Sequence, residues 1–369
     1  MTTRTTRLDA VIDTALAEGC IGGAVVLVAE DGKPAYARAA GSAQPDSIFR
    51  LASVTKPLVS AAAMALCDQR RISLGDPVTK YLPAFRPGLA DGSVPEITLR
   101  HLLTHTAGLA YNSSPEASAA YRRLGISSGM DQPGLALDEA MRRLAAAPLL
   151  FAPGAQWHYS LAIDVLGAVL EAATGTSLGA VLRQTVTGPL GMADTGFELR
   201  SPARLAAALT TGLRPIADGE AVSFPKGDIH FVPSRVFDLN SYQSGGAGAV
   251  GTAGDFLRFL EAIRQAEQGP GTALPLRPET VLAMTEDQVG TQAETQGPGW
   301  GFGYGWAVLA DEAAADTPQA QGTIQWGGAY GHSWFMDEVN QLSVVAFTDT
   351  APEGVAGAFP TEIRNAVYG

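Results

Sequence analysis

The stretch FRLASVTKPLVSAAAMAL (residues 49–66) reads, from Ser53 onward, as a helix that is apolar on almost every side. A helix of this kind belongs in a protein core. It nevertheless carries Lys56, and an unpaired ammonium in a core costs several kcal/mol or loses its proton. The sequence therefore implies that Lys56 has a specific partner.

The serine that precedes this lysine is a candidate for that partner. Ser53 and Lys56 are one helical turn apart, so their side chains share a helix face. A serine hydroxyl needs a nearby base to act as a nucleophile, and a lysine in apolar surroundings can supply that base or stabilise an alkoxide or phenolate. The same spacing also fits a helix-capping serine followed by a snorkelling surface lysine. The motif alone leaves both interpretations open.

The composition narrows the class of protein. A chain of 369 residues can bury a large core in two or three structural units. The net charge of -12, with no Lys/Arg run longer than a pair, argues against nucleic acid or an anionic membrane as a partner and favours a small-molecule substrate. The N-terminus lacks the apolar segment of a signal peptide, so we expect a cytoplasmic protein. Cys20 and Cys67 are expected to be free thiols, and we expect no metal or other cofactor.

Strand-like patterns lie at the two ends of the chain and helical patterns between them. A hairpin is expected within 21–41, and strands at 303–310, 323–328, 331–338 and 341–349, whereas helices are expected at 97–105, 137–147 and 159–175. We therefore predict an α+β fold in which an antiparallel sheet, formed from both termini, is flanked by helices. Residues 1–75 and 245–369 should form the sheet domain and residues 76–244 a mostly helical domain, with the active site between them.

Two further segments carry groups that fit a reaction centre. Tyr159 follows a Pro-Gly turn at the start of a predicted helix, where its phenol either packs or reaches a reacting group. Gly327 and Gly328 lie in a strand-like run, where glycine usually marks close approach by another backbone or a ligand. Together with Ser53 and Lys56 they supply a nucleophile, two candidate bases and an exposed strand edge.

Several longer segments resemble a known group of enzymes. The chain contains, in this order, FRLASVTKPL, LGDPVTKYLPAF, ITLRHLLTHTAGL, LLFAPGAQWHYSLAIDVLGAVLEAATG, GPLGMADTGF, GGAGAVGTAGDFLRF and GWGFGYGW followed by QWGGAYGHSWF. They resemble the serine β-lactamase and penicillin-binding superfamily, and within it the class C β-lactamase-like esterases called family VIII carboxylesterases. The similarity runs from about residue 8 to residue 350 and implies a β-lactamase-like fold.

The resemblance also implies roles for individual residues. Ser53 would be the nucleophile that the substrate acylates, with Lys56 as its partner. Tyr159 would act with Lys56 as general base and then return the proton to the leaving group. The backbone N–H groups of Ser53 and Ala329 would form the oxyanion hole.

Two departures from the lactamase pattern bear on the substrate. Leu161 stands where lactamases of this type have the asparagine of Tyr-x-Asn, and Trp326-Gly327-Gly328 replaces their Lys-Thr-Gly. Both changes exchange polar anchors for apolar surface. The resemblance therefore implies a serine carboxylesterase for short-chain or aryl esters with uncharged groups, and weak or absent turnover of β-lactams.

Further residues of this region have two interpretations each. His332 and Tyr330 follow the third motif, and Tyr111 follows the turn after the predicted helix at 97–105, so all three are candidates for substrate contact as well as for structural roles. His101 and His105 have the spacing of zinc-binding histidines, but the glutamate and a third ligand are missing. We predict structural roles for these two histidines.

One motif points to a different enzyme class. Residues 175–179, GTSLG, match the G-x-S-x-G elbow of α/β-hydrolases, but that elbow lies between a strand and a helix. Here the preceding segment is a predicted helix, so we predict that Gly175 ends one helix and Ser177 caps the next.

Alternatives to ester hydrolysis remain open at this stage. The same acyl-enzyme could pass its acyl group to an alcohol or amine, as an acyltransferase or transesterase, or the enzyme could be a D-aminopeptidase or amidase. A non-catalytic penicillin-binding or sensor protein is a further alternative, against which the presence of Tyr159 argues. The sequence does not determine the oligomeric state.

Overall fold

The computed structural model describes residues 3–225, 227–267, 269 and 273–369. Its helices, in chain order, are α1 (Arg4–Ala17), α2 (Thr55–Asp68), α3 (Leu99–Leu103), α4 (Ser118–Arg123), α5 (Leu137–Ala145), α6 (Ala162–Thr174), α7 (Leu178–Leu182), α8 (Ala253–Glu267), α9 (Pro278–Thr285), α10 (Glu312–Ala315), α11 (Glu353–Ala356) and α12 (Phe359–Tyr368). Its strands are β1 (Gly23–Glu30), β2 (Lys33–Gly41), β3 (Phe49–Arg50), β4 (Leu209–Thr210), β5 (Arg214–Pro215), β6 (Glu220–Phe224), β7 (Gly227–Phe231), β8 (Val250–Gly251), β9 (Trp300–Phe302), β10 (Ala307–Leu309), β11 (Ile324–Gly328), β12 (His332–Asp337) and β13 (Leu342–Thr348).

The main sheet joins the two ends of the chain. Its seven strands have the order β2-β1-β13-β12-β11-β10-β9, and each neighbouring pair is antiparallel. β1 and β13 are paired from Ala24 opposite Thr348 to Glu30 opposite Leu342. Strands from the N- and C-terminal segments are therefore neighbours inside one sheet, which confirms the predicted α+β fold.

Helices cover both faces of this sheet. One face packs against α1 and α12, where Leu8 and Ile363 meet Val344. The other face packs against α2 and α8, where Leu58 and Phe256 belong to the large core. Because both faces are covered, β13 is buried along its whole length, and its residues 344–347 are all apolar.

The large core continues from the sheet into the helices of the middle segment. Leu102 of α3 and Leu166 of α6 belong to the same cluster as Leu58 of α2. This continuity places α6 directly against α2, the helix that follows Ser53. The predicted domain boundaries at 75/76 and 244/245 stay a prediction.

The structure differs locally from the sequence-based assignment. The run 303–310, predicted as one strand, is a turn followed by β10, and the preceding Trp300–Phe302 forms β9. The turn is possible because Gly305 adopts φ 110. The helix predicted from residue 159 begins at Ala162, because the preceding residues 156–160 form no regular secondary structure and the N–H of Leu161 donates to the carbonyl of Ala110. The hairpin of β6 and β7 was not predicted.

The structure also bears on the state of the two cysteines and on possible membrane-spanning helices. Cys20 and Cys67 are free thiols. Among the described residues, no single helix has the length and apolar character needed to cross a membrane, although the segments 162–174 and 178–187, bent by 82°, meet the length and composition criteria as a pair.

Candidate active site

Ser53 lies in a short 3-10 turn, Ala52–Val54, immediately before α2. Ala52 has φ 45, in the left-handed region that residues with a side chain rarely adopt. Such a conformation is kept only where the surroundings impose it, and Ala52 is completely buried. The turn places the Ser53 side chain in the wall of a cavity of about 860 Å³.

Lys56 has the partners that its position in a buried helix requires. Its side chain is fully buried. Its Nζ donates hydrogen bonds to Oγ of Ser53 at 3.1 Å and to the backbone carbonyl of Gly246 at 2.8 Å. It also lies 4.6 Å from the centre of the Tyr159 ring, within range of a cation–π interaction. The Lys56 amino group is thus held beside the serine by contacts with Ser53, Gly246 and Tyr159.

Tyr159 completes the set of groups around the serine oxygen. Its hydroxyl donates a 2.7 Å hydrogen bond to Oγ of Ser53. The extended segment that carries it is fixed by backbone bonds on both sides, from His158 N–H to the His105 carbonyl and from Leu161 N–H to the Ala110 carbonyl. The structure therefore brings together the three residues that the sequence singled out from distant segments.

Aromatic rings surround Tyr159. Ring centres lie 4.9 Å away for His105, 5.1 Å for Trp326, 5.3 Å for Tyr111 and 6.5 Å for Trp157. The Trp326 indole N–H also donates to the Tyr159 hydroxyl at 3.3 Å. These contacts leave the tyrosine side chain little freedom to move away from Ser53.

His105 packs against Tyr159 without adding charge. Burial lowers the pKa of His105 well below its usual value, so the imidazole is neutral at pH 7. Its Nδ1 shares a hydrogen bond with the hydroxyl of Ser160 at 3.2 Å. Burial also raises the pKa of Tyr111 well above its usual value, so this phenol keeps its proton. His105 and Tyr111 are therefore uncharged neighbours of Tyr159 and Lys56 at pH 7.

The glycines of the third motif allow β11 to approach the serine turn. A Cβ on Gly328 would lie 2.4 Å from the carbonyl oxygen of Leu51, which precedes the Ser53 turn. Only a glycine can pack this closely against that backbone. Ala329, which follows, lines the same cavity as Ser53. The two backbone N–H groups expected to form the oxyanion hole thus border one cavity.

The other predicted contact residues fall into two groups. Tyr111, Trp326 and Gly327 line the cavity. By contrast, the structure gives buried packing positions to Leu161 in the large core and to Tyr330, whose ring lies 4.8 Å from that of Phe231. In the described part of the chain, the residues that line this cavity do not include Leu161, Tyr330, Gly328 or His332. Their contact with substrate stays a prediction.

His332 has a clear structural partner. Its side chain is buried, with 1% exposed, and its Nε2 shares a 2.9 Å hydrogen bond with the carbonyl of Arg50. Burial lowers the pKa of His332 to about 4, so the ring is neutral and Nε2–H is the donor at pH 7. The hydrogen bond ties β12 to β3, the strand that leads into the Ser53 turn.

The sequence reasoning missed the group that holds Lys56 from the other side. The Gly246 carbonyl belongs to a turn in which the Ser244 hydroxyl donates to Asp164 at 2.5 Å and accepts from the Ala247 N–H at 3.0 Å. Burial raises the pKa of Asp164. A signal for this cluster is present in the sequence, because Asp164 is a carboxylate among apolar residues at the start of a helix and the run 245–251 is rich in glycine.

The G-x-S-x-G segment has the structural role predicted for it. Gly175 ends α6 in the left-handed conformation with φ 71, and the Ser177 side chain accepts from the Ala180 N–H as the N-cap of α7. His101 likewise accepts from the Thr98 N–H in a capping box. The described residues contain no cluster of three or more His, Cys, Asp or Glu side chains that could hold a metal.

Comparisons with known proteins agree with this geometry. The beta-lactamase family model matches residues 8–367. The chain is 52% identical to Esterase EstB from Burkholderia gladioli, over 98% of this chain and 94% of that protein. It is 46% identical to the solved structure of EstCE1, described as a hydrolase with promiscuous acyltransferase activity, with a TM-score of 0.94 over 99% of this chain and 98% of that one. It is also 27% identical to monacolin J acid methylbutanoyltransferase from Aspergillus terreus, over 84% of this chain and 78% of that protein.

Proposed function

The chain belongs to the beta-lactamase family, and we propose that it is a serine carboxylesterase whose acyl-enzyme forms on Ser53. The observation that carries this proposal is the position of the Ser53 oxygen, 2.7 Å from the Tyr159 hydroxyl and 3.1 Å from Lys56 Nζ, in the wall of a large cavity. The similarity over almost the full length to proteins named as an esterase and a hydrolase supports the same reaction class.

Acylation follows from this geometry. Ser53 Oγ attacks the ester carbonyl carbon and gives its proton to the Tyr159–Lys56 pair, which accepts it either with Lys56 as an uncharged amine or with Tyr159 as a phenolate beside the Lys56 ammonium. The carbonyl oxygen becomes an oxyanion that the N–H groups of Ser53 and Ala329 stabilise. When the tetrahedral intermediate collapses, the C–O bond to the alcohol breaks, and the proton moves through Tyr159 to the departing alkoxide.

Deacylation uses the same residues in reverse. A water molecule, or another alcohol, attacks the acyl-Ser53 carbonyl and gives its proton to the Tyr159–Lys56 pair. The second tetrahedral intermediate then releases the acid, or a new ester, and returns the proton to Ser53. The net reaction is ester plus water to acid plus alcohol.

The walls near the reacting atoms favour uncharged groups. Trp326 places an indole ring beside Tyr159 where lactamases of this type have a lysine, and the aromatic rings of Tyr111 and Trp157 lie close by. We propose that short acyl chains and aryl groups bind here and that β-lactam turnover is weak or absent. The negative net charge supports a small-molecule substrate without a nucleic-acid or membrane partner, and we place the protein in the cytoplasm.

The division into two domains is part of the same proposal. Ser53 and β11 come from the segments 1–75 and 245–369, whereas Tyr159 comes from the segment 76–244. The hydrogen bond between Tyr159 and Ser53 crosses the proposed boundary, which supports an active site between the two domains.

A substrate panel tests the function. We expect the protein to hydrolyse p-nitrophenyl acetate and butyrate faster than the decanoate, with little activity on a chromogenic cephalosporin or a D-amino acid amide. Ser53→Ala should abolish turnover, and Lys56→Ala and Tyr159→Phe should each lower kcat by about a hundredfold or more. A single burst of nitrophenol without turnover would show a protein that is acylated but is not an esterase.

Acyl transfer is a second activity that a specific observation favours. The similar structure at 46% identity is described as having promiscuous acyltransferase activity. An apolar, aromatic surround at Tyr159 limits water near the acyl-enzyme and admits organic alcohols. Adding a primary alcohol to the hydrolysis of a vinyl ester should therefore divert part of the acyl group to a new ester, which gas chromatography can measure.

A further inference from the structure

The cavity at Ser53 continues to the opposite face of the sheet. On β12, Trp334 packs against Phe256 and Trp306 on the face that carries Ser53, whereas the next residue, Phe335, packs with Ile363 of α12 on the other face. Gln325 pairs with Phe335 and so shares its face. Trp326, Gln325 and Phe335 all line the same cavity, which therefore passes around the sheet.

The passage lies at an unpaired strand edge. In the part of the chain that the structure describes, β10 pairs with β11 at Ile324 and Gln325 only. The edge of β11 from Trp326 to Gly328 consequently has no neighbouring strand on that side. Gly327, in the middle of this edge, lines the cavity, and Val355 packs closely against it, since a Cβ on Gly327 would lie 2.6 Å from Val355 Cγ2. A substrate that reaches Ser53 can thus extend along the edge toward the far face.

The leaving alcohol is the part of the substrate that points this way. Tyr159 is the group placed to protonate the departing oxygen, and its hydroxyl contacts the Trp326 indole N–H at 3.3 Å. Trp326 is adjacent to Gln325, where the cavity turns around β11. With its oxygen beside Trp326, the alcohol would extend into the part of the cavity on the far face of the sheet. This part, the far compartment, is lined by Phe335, Ile363 and Arg364.

Arg364 gives this far compartment a positive charge. It lines the cavity from α12 and is half-buried. Its Nε and Nη2 each donate to the side-chain oxygen of the neighbouring Asn365 at 3.2 Å, and it forms no ion pair with any described residue. Burial lowers the pKa of Arg364, an effect that the nearby phenol of Tyr368 opposes. A half-buried guanidinium without a carboxylate, on a chain of net charge -12, is suited to bind an anion.

We propose that the preferred esters carry a carboxylate at the far end of the leaving alcohol and that Arg364 binds this carboxylate. The substrate is then uncharged beside the ester bond, where Trp326 and Tyr159 lie, and anionic at its distant end. This inference rests on the proposed function, since it needs an ester held at Ser53. Glu294 also borders the cavity, but it is exposed, so water screens its charge.

The test uses acetate esters of ω-hydroxy acids, from acetoxybutanoate to acetoxydecanoate, together with alkyl acetates and ω-ammonioalkyl acetates of equal length. Every ester gives the same acetyl-enzyme, so deacylation is identical and differences in kcat/KM arise from the leaving alcohol. In one length range we expect Arg364→Gln to lower kcat/KM about tenfold for the carboxylate ester and less than about twofold for the alkyl ester. Arg364→Lys should retain part of the preference, and Arg364→Glu should transfer it to the ammonium ester.

A matched variant controls for the change in net charge. Arg200 is exposed and does not line this cavity, so Arg200→Gln removes the same charge and should leave the preference unchanged. Equal effects of Arg364→Gln on charged and neutral esters, or a wild-type preference for the ammonium esters, would overturn the proposal while leaving the esterase assignment intact. If no acetate ester is hydrolysed, or if Ser53→Ala retains the activity, the proposed function itself fails and this inference fails with it.

Discussion

The indole N–H of Trp326 donates a hydrogen bond to the hydroxyl oxygen of Tyr159, with 3.3 Å between the two atoms. Tyr159 in turn donates to Ser53, so the third motif is connected through the tyrosine to the proposed nucleophile. At the position where lactamases of this type have a lysine, this chain supplies a neutral donor to the Tyr159 hydroxyl. The replacement therefore changes both the shape of the site and the support of the tyrosine.

Trp326→Phe should separate these two effects. The phenyl ring keeps most of the apolar wall but removes the donor to Tyr159, and one neutral hydrogen bond contributes about 0.5–1.5 kcal/mol. We expect kcat for p-nitrophenyl acetate to fall about three- to tenfold, with a smaller change in KM. Trp334→Phe is the control, because Trp334 faces Trp326 across the strand pair and its indole N–H has no hydrogen-bond partner among the described residues. Equal kcat values for the two variants would contradict the role of the hydrogen bond.

The turn that holds Lys56 gives a second prediction. Ser244→Ala removes the hydroxyl that joins Asp164 to the Ala247 N–H and thereby loosens the Gly246 carbonyl, which accepts from Lys56. We expect kcat to fall about tenfold while KM stays similar, together with a loss of about 1–3 kcal/mol in the free energy of unfolding. Steady-state kinetics on the folded variant and urea unfolding measure the two effects.

A control for that variant lies on the same helix as Lys56. The hydroxyl of Ser60 is buried and has no partner among the described residues, so Ser60→Ala should cost little stability and leave kcat unchanged. If Ser244→Ala loses stability but keeps the wild-type kcat, the turn supports the fold and does not position Lys56.

The close approach of β11 gives a third prediction. In Gly328→Ala the new Cβ would lie 2.4 Å from the Leu51 carbonyl, so the strand must shift and the Ala329 N–H must shift with it. Loss of one oxyanion donor typically lowers kcat by about 10²–10³. Gly75→Ala is a suitable comparison, since a Cβ there meets no atom within 4 Å. A folded Gly328→Ala protein with normal turnover would exclude Ala329 from the oxyanion hole.

The residues of this site differ in how far the sequence could place them. Ser53 and Lys56 were predictable as a pair because helix geometry fixes neighbours one turn apart. Tyr159 and Trp326 are far away in sequence, and only the resemblance to a family indicated that they meet. The Gly246 carbonyl could not be predicted, because a backbone acceptor has no side-chain signature and its position depends on the fold of the turn around Ser244.

Similar limits apply to the fold. That strands from the two termini share one antiparallel sheet was predictable from apolar patterns, since β1 and β13 are long and buried. The division of the run 303–310 was not, because it depends on the positive φ of Gly305 and on contacts with α9. An exposed strand edge was expected at Gly327 and Gly328, but its extent was not, because it depends on how few residues of β10 pair with β11.

A fourth prediction distinguishes Ser53 of the S-x-x-K motif from Ser177 of the G-x-S-x-G motif. Ser177→Ala should lower the free energy of unfolding by about 1 kcal/mol through the lost N-cap of α7 and leave turnover intact, because Ser177 does not line the Ser53 cavity. Ser53→Ala should remove turnover and keep the fold. Thermal unfolding and p-nitrophenyl acetate hydrolysis, measured on both variants, give the comparison. Loss of turnover in a folded Ser177→Ala protein would transfer the catalytic role to the other motif.

The buried His332 predicts how stability depends on pH. Burial lowers its pKa from 6.5 to about 4, so between these values the unfolded chain binds a proton that the folded protein does not. The free energy of unfolding therefore decreases as the pH falls from about 6.5 to about 4, and the loss from this residue approaches about 3 kcal/mol. His332→Gln cannot titrate and keeps an N–H donor for the Arg50 carbonyl. We expect its unfolding free energy, measured by urea titration at several pH values, to decrease less steeply over this range than that of the wild type. Some slope should remain, because burial also lowers the pKa of His105.

The exposed His230 offers a control for this experiment, since His230→Gln should retain the wild-type slope. Parallel curves for His332→Gln and the wild type would show that His332 does not cause the pH dependence of stability.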